Sequence, residues 1–385
     1  MLADPSAFLR GAAVIMAYDL VTTPTIGLCG HICGDAHLNN FGAYATPERA
    51  LVFDLNDFDE TNVGPWEWDV KRLAASIVVA GRVNGLSDSD CRDAALRAAA
   101  SYRSRIRSFA NMRYLDVWYC SIEATEITNH LNDDDIAGQF ISTAQKNTHL
   151  GTLPKLVEVG SSGPRIKNDP PLVEHRTYPL AQRISDVWNG YRSSLTEERR
   201  VILDRYQLVD VARKVVGVGS VGLRCFVMLL LGRDDKDPLF LQVKEARPSA
   251  LSPSIRESRF GNEGKRVVRG QRIMQAASDL FLGWTRCGRI DYYVRQLRDM
   301  KASVPTGELD KADLAVYAEF CGWALARAHA CSMDAAPIGG YLGSGDVFDH
   351  AISEFAVAYA DQTERDYAAL VKAVKSGQVA AETGI

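Results

Sequence analysis

The sequence lacks the features of a membrane protein, a secreted protein or a strongly charged binder of nucleic acid. No apolar run approaches the roughly 18 residues that a membrane span requires. The first 20 residues carry Asp4, Arg10 and Asp19, so they lack the basic-then-apolar pattern of a signal peptide. A formal net charge of −4 gives no electrostatic reason to expect nucleic acid or an anionic membrane as the main partner. We therefore expect a cytoplasmic protein with no membrane or nucleic-acid partner.

Cysteine is present without a pattern that would predict a metal site. Cys29 and Cys33 are the closest pair among the eight cysteines, and no second pair stands at a matching distance. Buried thiols in a reducing compartment are the better interpretation. The 46% apolar and 24% charged content is ordinary for a globular chain, and no internal repeat is visible.

Two polar runs near the start of the chain carry the strongest chemical signal. They are Gly34-Asp35-Ala36-His37-Leu38-Asn39-Asn40 and Asp54-Leu55-Asn56-Asp57-Phe58-Asp59-Glu60. In the first run an Asn follows an Asp by five residues, which is the spacing of base and metal ligand in kinase-like phosphotransferases. Asp35 is therefore the candidate base and Asn40 a candidate Mg²⁺ ligand. His37 would hydrogen-bond the loop or a phosphate, with an ordinary satisfied buried histidine as the alternative.

Three carboxylates of the second run, Asp54, Asp57 and Asp59, compete for the role of main metal ligand. We prefer Asp57, because Asp69 follows it by twelve residues at the start of a predicted helix. This arrangement resembles aminoglycoside and choline kinases, in which the second Asp braces the catalytic loop. The alternative is that each Asp only caps a helix or a turn.

A third signal lies downstream, in Gly217-Val218-Gly219-Ser220-Val221-Gly222 and in Lys244. A β-rich apolar run follows the glycines, so they do not open the helix of a dinucleotide fold. The order of elements is instead that of the small lobe of kinases: a strand, a glycine loop, a strand, a turn and a strand that bears a lysine. In that lobe backbone amides cover the ATP phosphates. Gly217, Gly219, Ser220, Gly222 and Lys244 are thus the candidate nucleotide-binding residues. A bulged hairpin turn is the alternative.

The partner of Lys244 is expected from the helix that follows it. Glu245 points to the opposite face of the strand, so it is excluded. The carboxylates of the predicted helix at 262–280 are Glu263 and Asp279, and neither is clearly placed for the role.

The order of these motifs is reversed relative to ordinary kinases, in which the glycine loop comes first. We therefore predict an α+β, protein-kinase-like two-lobed fold that is circularly permuted. Residues 1–204 would form a helical lobe with the catalytic and metal-binding loops, 205–300 a small β-rich nucleotide-binding lobe, and 301–385 the helices that complete the helical lobe. The main elements that we predict are helices at 6–20, 66–81, 90–111, 262–280, 314–330 and 347–374, and strands at 50–53, 211–218, 223–231, 239–243, 280–284 and 292–297.

Taken together, these runs resemble the uncharacterised bacterial family known as domain of unknown function 2252. Further matching runs are Phe8-Leu9-Arg10-Gly11, Glu67-Trp68-Asp69-Val70-Lys71-Arg72-Leu73, Gly270-Gln271-Arg272 and Leu325-Ala326-Arg327-Ala328-His329. The resemblance covers essentially the whole chain and implies a kinase-like fold without an established substrate. Relatives usually carry a stretch before the Phe-Leu-Arg-Gly run, so a shortened N-terminus is expected. They also imply a Glu where this chain has Arg269; if that Glu pairs with Lys244 in relatives, the pair is missing here.

The function expected from these features is ATP- and Mg²⁺-dependent phosphoryl transfer to an unknown, small hydroxyl- or amine-bearing acceptor. A nucleotide-binding pseudokinase that regulates a partner is the alternative that Arg269 favours. Nucleotidyl transfer onto a protein is a third possibility, because it would use the same groups.

Overall fold

The computed structural model describes residues 1–160, 163–175, 184–215, 222–255, 260–297 and 300–381. Its helices are α1 (Pro5–Gly11), α2 (Ala13–Leu20), α3 (Trp66–Val83), α4 (Asp88–Ala110), α5 (Tyr114–Tyr119), α6 (Ala124–Thr128), α7 (Asp134–Lys146), α8 (His149–Leu156), α9 (Ile184–Ser194), α10 (Glu197–Leu203), α11 (Glu263–Met274), α12 (Lys311–Ser332), α13 (Ala335–Leu342) and α14 (Val347–Lys375). Its strands are β1 (Cys29–Ile32), β2 (Phe41–Ala45), β3 (Leu51–Leu55), β4 (Asn62–Pro65), β5 (Ile122–Glu123), β6 (Val157–Gly160), β7 (Gly163–Ile166), β8 (Val173–Glu174), β9 (Gln207–Lys214), β10 (Cys225–Leu231), β11 (Pro238–Ala246), β12 (Gly283–Cys287) and β13 (Ile290–Gln296).

The helical part joins the two ends of the chain around one apolar core, which draws on residues before 145 and after 245. Helix α4 turns an alanine-rich face to its neighbours, and Ser87 caps its start by accepting a hydrogen bond from the Asp90 backbone. Gly322 of α12 lies against it: a Cβ at this position would stand 2.2 Å from the carbonyl oxygen of Ala98. Small residues on both helices therefore permit a close approach. The helices predicted at 66–81 and 90–111 are confirmed within two residues.

The N-terminal segment predicted as one helix at 6–20 forms two. The backbone of Ala12 (φ −118°, ψ 33°) leaves the helical region between α1 and α2. In the structure α1 and α2 lie against α3 as separate short helices.

The β-rich part is a six-stranded antiparallel sheet in the order β12-β13-β11-β10-β9-β8. Strand β10 is buried on both faces. Phe226, Met228 and Leu230 enter one core, which α9 covers, whereas the alternate residues enter a second core with Val157 and Ile166. Two-sided burial accounts for the uninterrupted apolar run that predicted this strand.

The elements around this sheet differ in extent from the prediction. The sheet reaches back to Val173, before the predicted small-lobe start at 205. Helix α11 ends at Met274, earlier than predicted, and β12 begins at Gly283, later than predicted. The prediction of a mixed α+β chain is confirmed.

Two smaller sheets hold the loops of interest next to the large one. Strands β1 and β4 pair, and β2, β3 and β5 form a three-stranded sheet. The bridge between Ala43 and Ala302 joins β2 to the segment that leaves the large sheet, with hydrogen bonds of 2.8 and 3.1 Å. Within the described ranges no helix has both the length and the apolar character to cross a membrane.

Candidate functional site

The loop that carries Asp35 follows β1 and is fixed from two sides. Asp69, in the first turn of α3, accepts hydrogen bonds from the backbone nitrogens of Cys33 (2.6 Å) and Gly34 (2.8 Å). Gly34 has φ +83°, and a Cβ there would stand 2.2 Å from the carbonyl oxygen of Glu60. Only glycine fits this backbone position. The backbone that leads into Asp35 is thus held in place by Asp69 and by the loop that carries Glu60.

Asp35 itself lies in an ion pair. Arg72, three residues after Asp69 on α3, donates to Asp35 Oδ1 from Nε at 2.6 Å. Its Nη2 lies 2.5 Å from the same oxygen. The arginine side chain is 3% exposed and the aspartate side chain 21% exposed. Arg72 also donates to the Leu9 carbonyl at 2.8 Å. Asp35 therefore has an internal partner while part of its carboxylate still faces solvent.

His37 lies beside Asp35, with Nε2 3.7 Å from Asp35 Oδ2. Its Nδ1 is buried without a hydrogen-bond partner among the described residues. Burial lowers the pKa of His37 to about 4 in spite of the neighbouring carboxylate, so the ring is neutral at pH 7.

Asn40 joins the two predicted loops. Its Nδ2 donates to the carbonyl oxygens of Asp35 (3.0 Å) and Asp57 (2.9 Å), and its Oδ1 accepts from the Asp57 backbone nitrogen at 2.7 Å. These bonds hold the backbone of the second loop to the first.

The three competing carboxylates are separated by the structure. Asp54 is 2% exposed and accepts hydrogen bonds from the backbone nitrogens of Leu55 and Ala276, both at 2.8 Å. Burial raises the pKa of the Asp54 carboxyl. Its bonds tie β3 to the loop after α11.

Asp57 has an unsatisfied acceptor. Its Oδ1 is buried and has no hydrogen-bond partner within the described ranges. Burial would raise the pKa of this carboxyl, but Lys244, Arg295 and Lys301 outweigh it and hold the pKa below its ordinary value. Asp57 is thus an ionised carboxylate that has one buried oxygen without a hydrogen bond and cationic side chains nearby.

Asp59 is the partner of Lys244. The ammonium of Lys244 contacts Asp59 Oδ2, and the hydroxyl of Tyr293 donates to Asp59 Oδ1 at 2.7 Å. Lys244 of β11 and Tyr293 of β13 are cross-strand neighbours, so their side chains share one face of the large sheet. Burial lowers the pKa of Lys244, but Tyr293 and the carboxylates outweigh it and raise the pKa well above its ordinary value.

The prediction of a partner from the following helix is wrong. Glu263 instead accepts from Arg266 at 2.5 Å, and Asp279 accepts from backbone nitrogens of Phe281 and Gln296. The sequence carried no signal for the contact that occurs, because Asp59 and Lys244 are 185 residues apart.

Arg269 does not take part in this contact either. It is exposed, and its guanidinium lies 5.3 Å from the centroid of the Phe260 ring. The buried arginine of α11 is Arg266, which donates to the carbonyl oxygens of Asp59 (2.9 Å) and Arg247 (2.8 Å). Arg266, which the sequence analysis missed, therefore fixes the backbone at Asp59 by hydrogen bonding.

The glycine run is described only at its last residue, since Gly217, Gly219 and Ser220 lie outside the described residues. Gly222 has φ +80°, and its carbonyl oxygen accepts from Arg247 at 2.9 Å. A cavity of about 270 Å³ adjoins it. A larger cavity of about 560 Å³ lies along α4 and is lined by none of the candidate site residues.

At this site the structure offers one carboxylate oxygen without a hydrogen-bond partner among the described residues, Asp57 Oδ1. Among the described residues no group of three or more His, Cys, Asp or Glu side chains is placed to hold a metal. Mg²⁺ in phosphate-transferring sites commonly takes one or two carboxylates together with substrate phosphates. The open oxygen of Asp57 suits that kind of site.

The chain was also compared with known proteins. No curated protein and no solved structure matched it. A family model described as "Uncharacterized protein conserved in bacteria (DUF2252)" matches residues 1–373. The chain belongs to this bacterial family.

Proposed function

We propose that this protein is an ATP- and Mg²⁺-dependent phosphotransferase with a circularly permuted kinase-like fold. The contact between Lys244 and Asp59 carries the proposal. It sets the lysine-bearing strand against the loop of Asp57, and Asn40 joins that loop to Asp35. The loops of Asp35 and Asp57 thus lie beside the lysine-bearing strand, although they precede it in the chain.

The connectivity of the large sheet supports the same function. Strands β9 and β10 flank the glycine run, β11 carries Lys244, and a helix and two further antiparallel strands follow. Kinases use such a lysine to hold the α- and β-phosphates and pair it with a carboxylate from a helix. Asp59 would replace that helix carboxylate here.

The roles follow from the chemistry of each group. Asp57 would hold Mg²⁺, which supplies the positive charge that neutralises the phosphates. Lys244 would contact those phosphates as a point charge. Asp35, which is partly open to solvent, would orient the acceptor hydroxyl and accept its proton. Asn40 would keep the two loops in register.

A binding-only regulator is the second candidate. Two of the groups assigned to chemistry already hold internal partners: Asp35 pairs with Arg72, and Lys244 pairs with Asp59. A site that binds nucleotide without transferring phosphate would tolerate both pairs.

Calorimetric titration with ATP, with and without Mg²⁺, tests the proposal. Asp57→Asn should lower the Mg²⁺-dependent affinity at least about tenfold, because it removes a charge that the metal requires. Asp54→Asn is the matched control and should keep that affinity, since Asp54 accepts hydrogen bonds from the backbone nitrogens of Leu55 and Ala276. Native protein that binds no ATP in the presence of Mg²⁺ would refute the proposal.

Transfer is measured separately, by mass spectrometry of the protein and of a metabolite pool after incubation with ATP. Asp35→Asn should retain nucleotide affinity and lose turnover, because a base acts on the acceptor. Binding without any transfer would favour the regulator. The mass that is added distinguishes phosphoryl from nucleotidyl transfer.

A further inference from the structure

A buried hydrogen-bonded series links the interior of the helical part to the loop of Asp35. The hydroxyl of Tyr102 on α4 lies 2.9 Å from His329 Nδ1, and His329 Nε2 lies 3.2 Å from Asp69 Oδ2. Asp69 in turn accepts hydrogen bonds from the backbone nitrogens of Cys33 and Gly34. All three side chains of the series are at most 1% exposed.

We propose that His329 is a positioning residue for Asp35, acting through Asp69. The inference rests on the proposed function, because it assigns a device that holds the candidate base of that site. His329 lies in the Leu-Ala-Arg-Ala-His run near the end of α12, to which sequence analysis gave no role.

The proton positions follow from the partners. A carboxylate only accepts, so Nε2 of His329 carries the hydrogen that points to Asp69. With Nε2 as the donor, Nδ1 is the ring nitrogen that accepts from the Tyr102 hydroxyl. Every polar atom of the ring is therefore used, and the imidazole is held in one tautomer and one orientation.

This arrangement constrains Asp69 in a way that its backbone bonds alone do not. Oδ2 of Asp69 accepts from both Cys33 and His329, whereas Oδ1 accepts from Gly34. Without the imidazole, only the two backbone nitrogens of Cys33 and Gly34 hold the carboxylate, so its last torsion is less restricted and both amides can shift with it. These amides directly precede Asp35, so their displacement moves the candidate base relative to Asp57.

The same end of α12 makes a second contact with this segment. The hydroxyl of Ser332 donates to the carbonyl oxygen of His31 at 2.8 Å. Helix α12 therefore contacts this segment directly at His31 and, through Asp69, at Cys33 and Gly34.

The test compares His329→Leu, which removes the donor, with His329→Gln, whose amide nitrogen can replace Nε2. Asp349→Asn is the control for general loss of stability, because it weakens the buried pair with Arg103 (2.7 Å) in the same helical part without touching the loop. Amide hydrogen exchange over residues 29–40 and alkylation of the buried Cys33 thiol report loop order and need no activity. Turnover and ATP affinity are measured alongside.

We expect His329→Leu to raise exchange at Cys33 and Gly34 about tenfold or more above the control, the effect of losing one hydrogen bond to a charged group. Turnover should fall by a similar factor while ATP affinity changes less than about twofold, and His329→Gln should restore part of both. Exchange that rises equally over the whole chain, as in Asp349→Asn, would overturn the inference. So would native-like turnover in His329→Leu.

Two further outcomes separate this inference from the proposed function. If the native protein transfers no phosphate, the proposed function fails, and local exchange alone decides whether His329 positions the loop. If His329→Leu does not fold, Tyr102→Phe removes only the hydroxyl that orients the ring. It should then raise exchange locally at Cys33 and Gly34; unchanged local exchange would overturn the inference.

Discussion

The ion pair between Lys244 and Asp59 is the contact on which the arrangement of the site depends, and a double-mutant cycle measures it. Lys244→Met removes the charge and keeps most of the side-chain volume. Asp59→Asn keeps the shape and removes the negative charge. The cycle needs these two variants and their combination, each compared with the native protein.

The expected magnitude follows from the burial of the two side chains. Breaking a fully buried pair costs about 3–5 kcal/mol, whereas an exposed pair contributes about 0–1 kcal/mol. The Lys244 side chain is 6% exposed and that of Asp59 is 24% exposed. After Lys244→Met, Asp59 keeps the Tyr293 hydroxyl and some solvent; after Asp59→Asn, Lys244 keeps the nearby Asp57. We therefore expect a loss of about 2 kcal/mol for each single variant.

The assay is urea denaturation followed by fluorescence, with the free energy of unfolding compared across the cycle. The double variant should lose little more than either single variant, which corresponds to a coupling energy of about 1.5–2 kcal/mol. Losses that add to within about 0.5 kcal/mol would show that the two charges do not interact. That result would refute the contact and, with it, the geometric support for the proposed function.

Three further predictions concern the surroundings of the site. Arg269→Glu should change the free energy of unfolding and ATP affinity by less than about 0.5 kcal/mol, because Arg269 is exposed over Phe260; a clear gain in affinity would mean that position 269 reaches Lys244. Gly34→Ala should lower the unfolding free energy by about 3 kcal/mol or more. Gly85 has a similar positive φ but open space around it, so Gly85→Ala should lower it by about 1 kcal/mol. Equal losses for the two variants in urea titrations would contradict this. Burial raises the pKa of Glu60 to about 7, above its ordinary value of 4.5, so its contribution to stability is present below about pH 4.5 and is lost as the pH rises through about 7. Glu60→Gln should abolish that fall, on the order of 3 kcal/mol, in urea titrations, and parallel pH profiles for the two proteins would contradict the assignment.

Local patterns in the sequence predicted the main helices and strands that carry the site, because these signals were strong. The uninterrupted apolar run of β10, followed by a turn and a second apolar run, predicted the central hairpin, and both strands occur near the predicted positions. Helix α3 begins at Trp66, as its pattern indicated, and this places Asp69 in its first turn. Such features depend on residues within one turn or one strand, so a linear pattern contains them.

Which polar groups meet depends on how elements distant in the sequence pack together. Asp54, Asp57 and Asp59 lie within six positions, yet one is buried among backbone amides, one has an open oxygen and one pairs with Lys244. Arg269 seemed to interrupt a pair, but its place on α11 turns it to solvent, and Arg266 is the buried arginine instead. Partners of this kind are set by how the large sheet and α11 pack against distant loops. Charge pairing over such sequence separations leaves no periodic trace in the chain, so it emerges only when the packed elements bring the groups within a few ångströms.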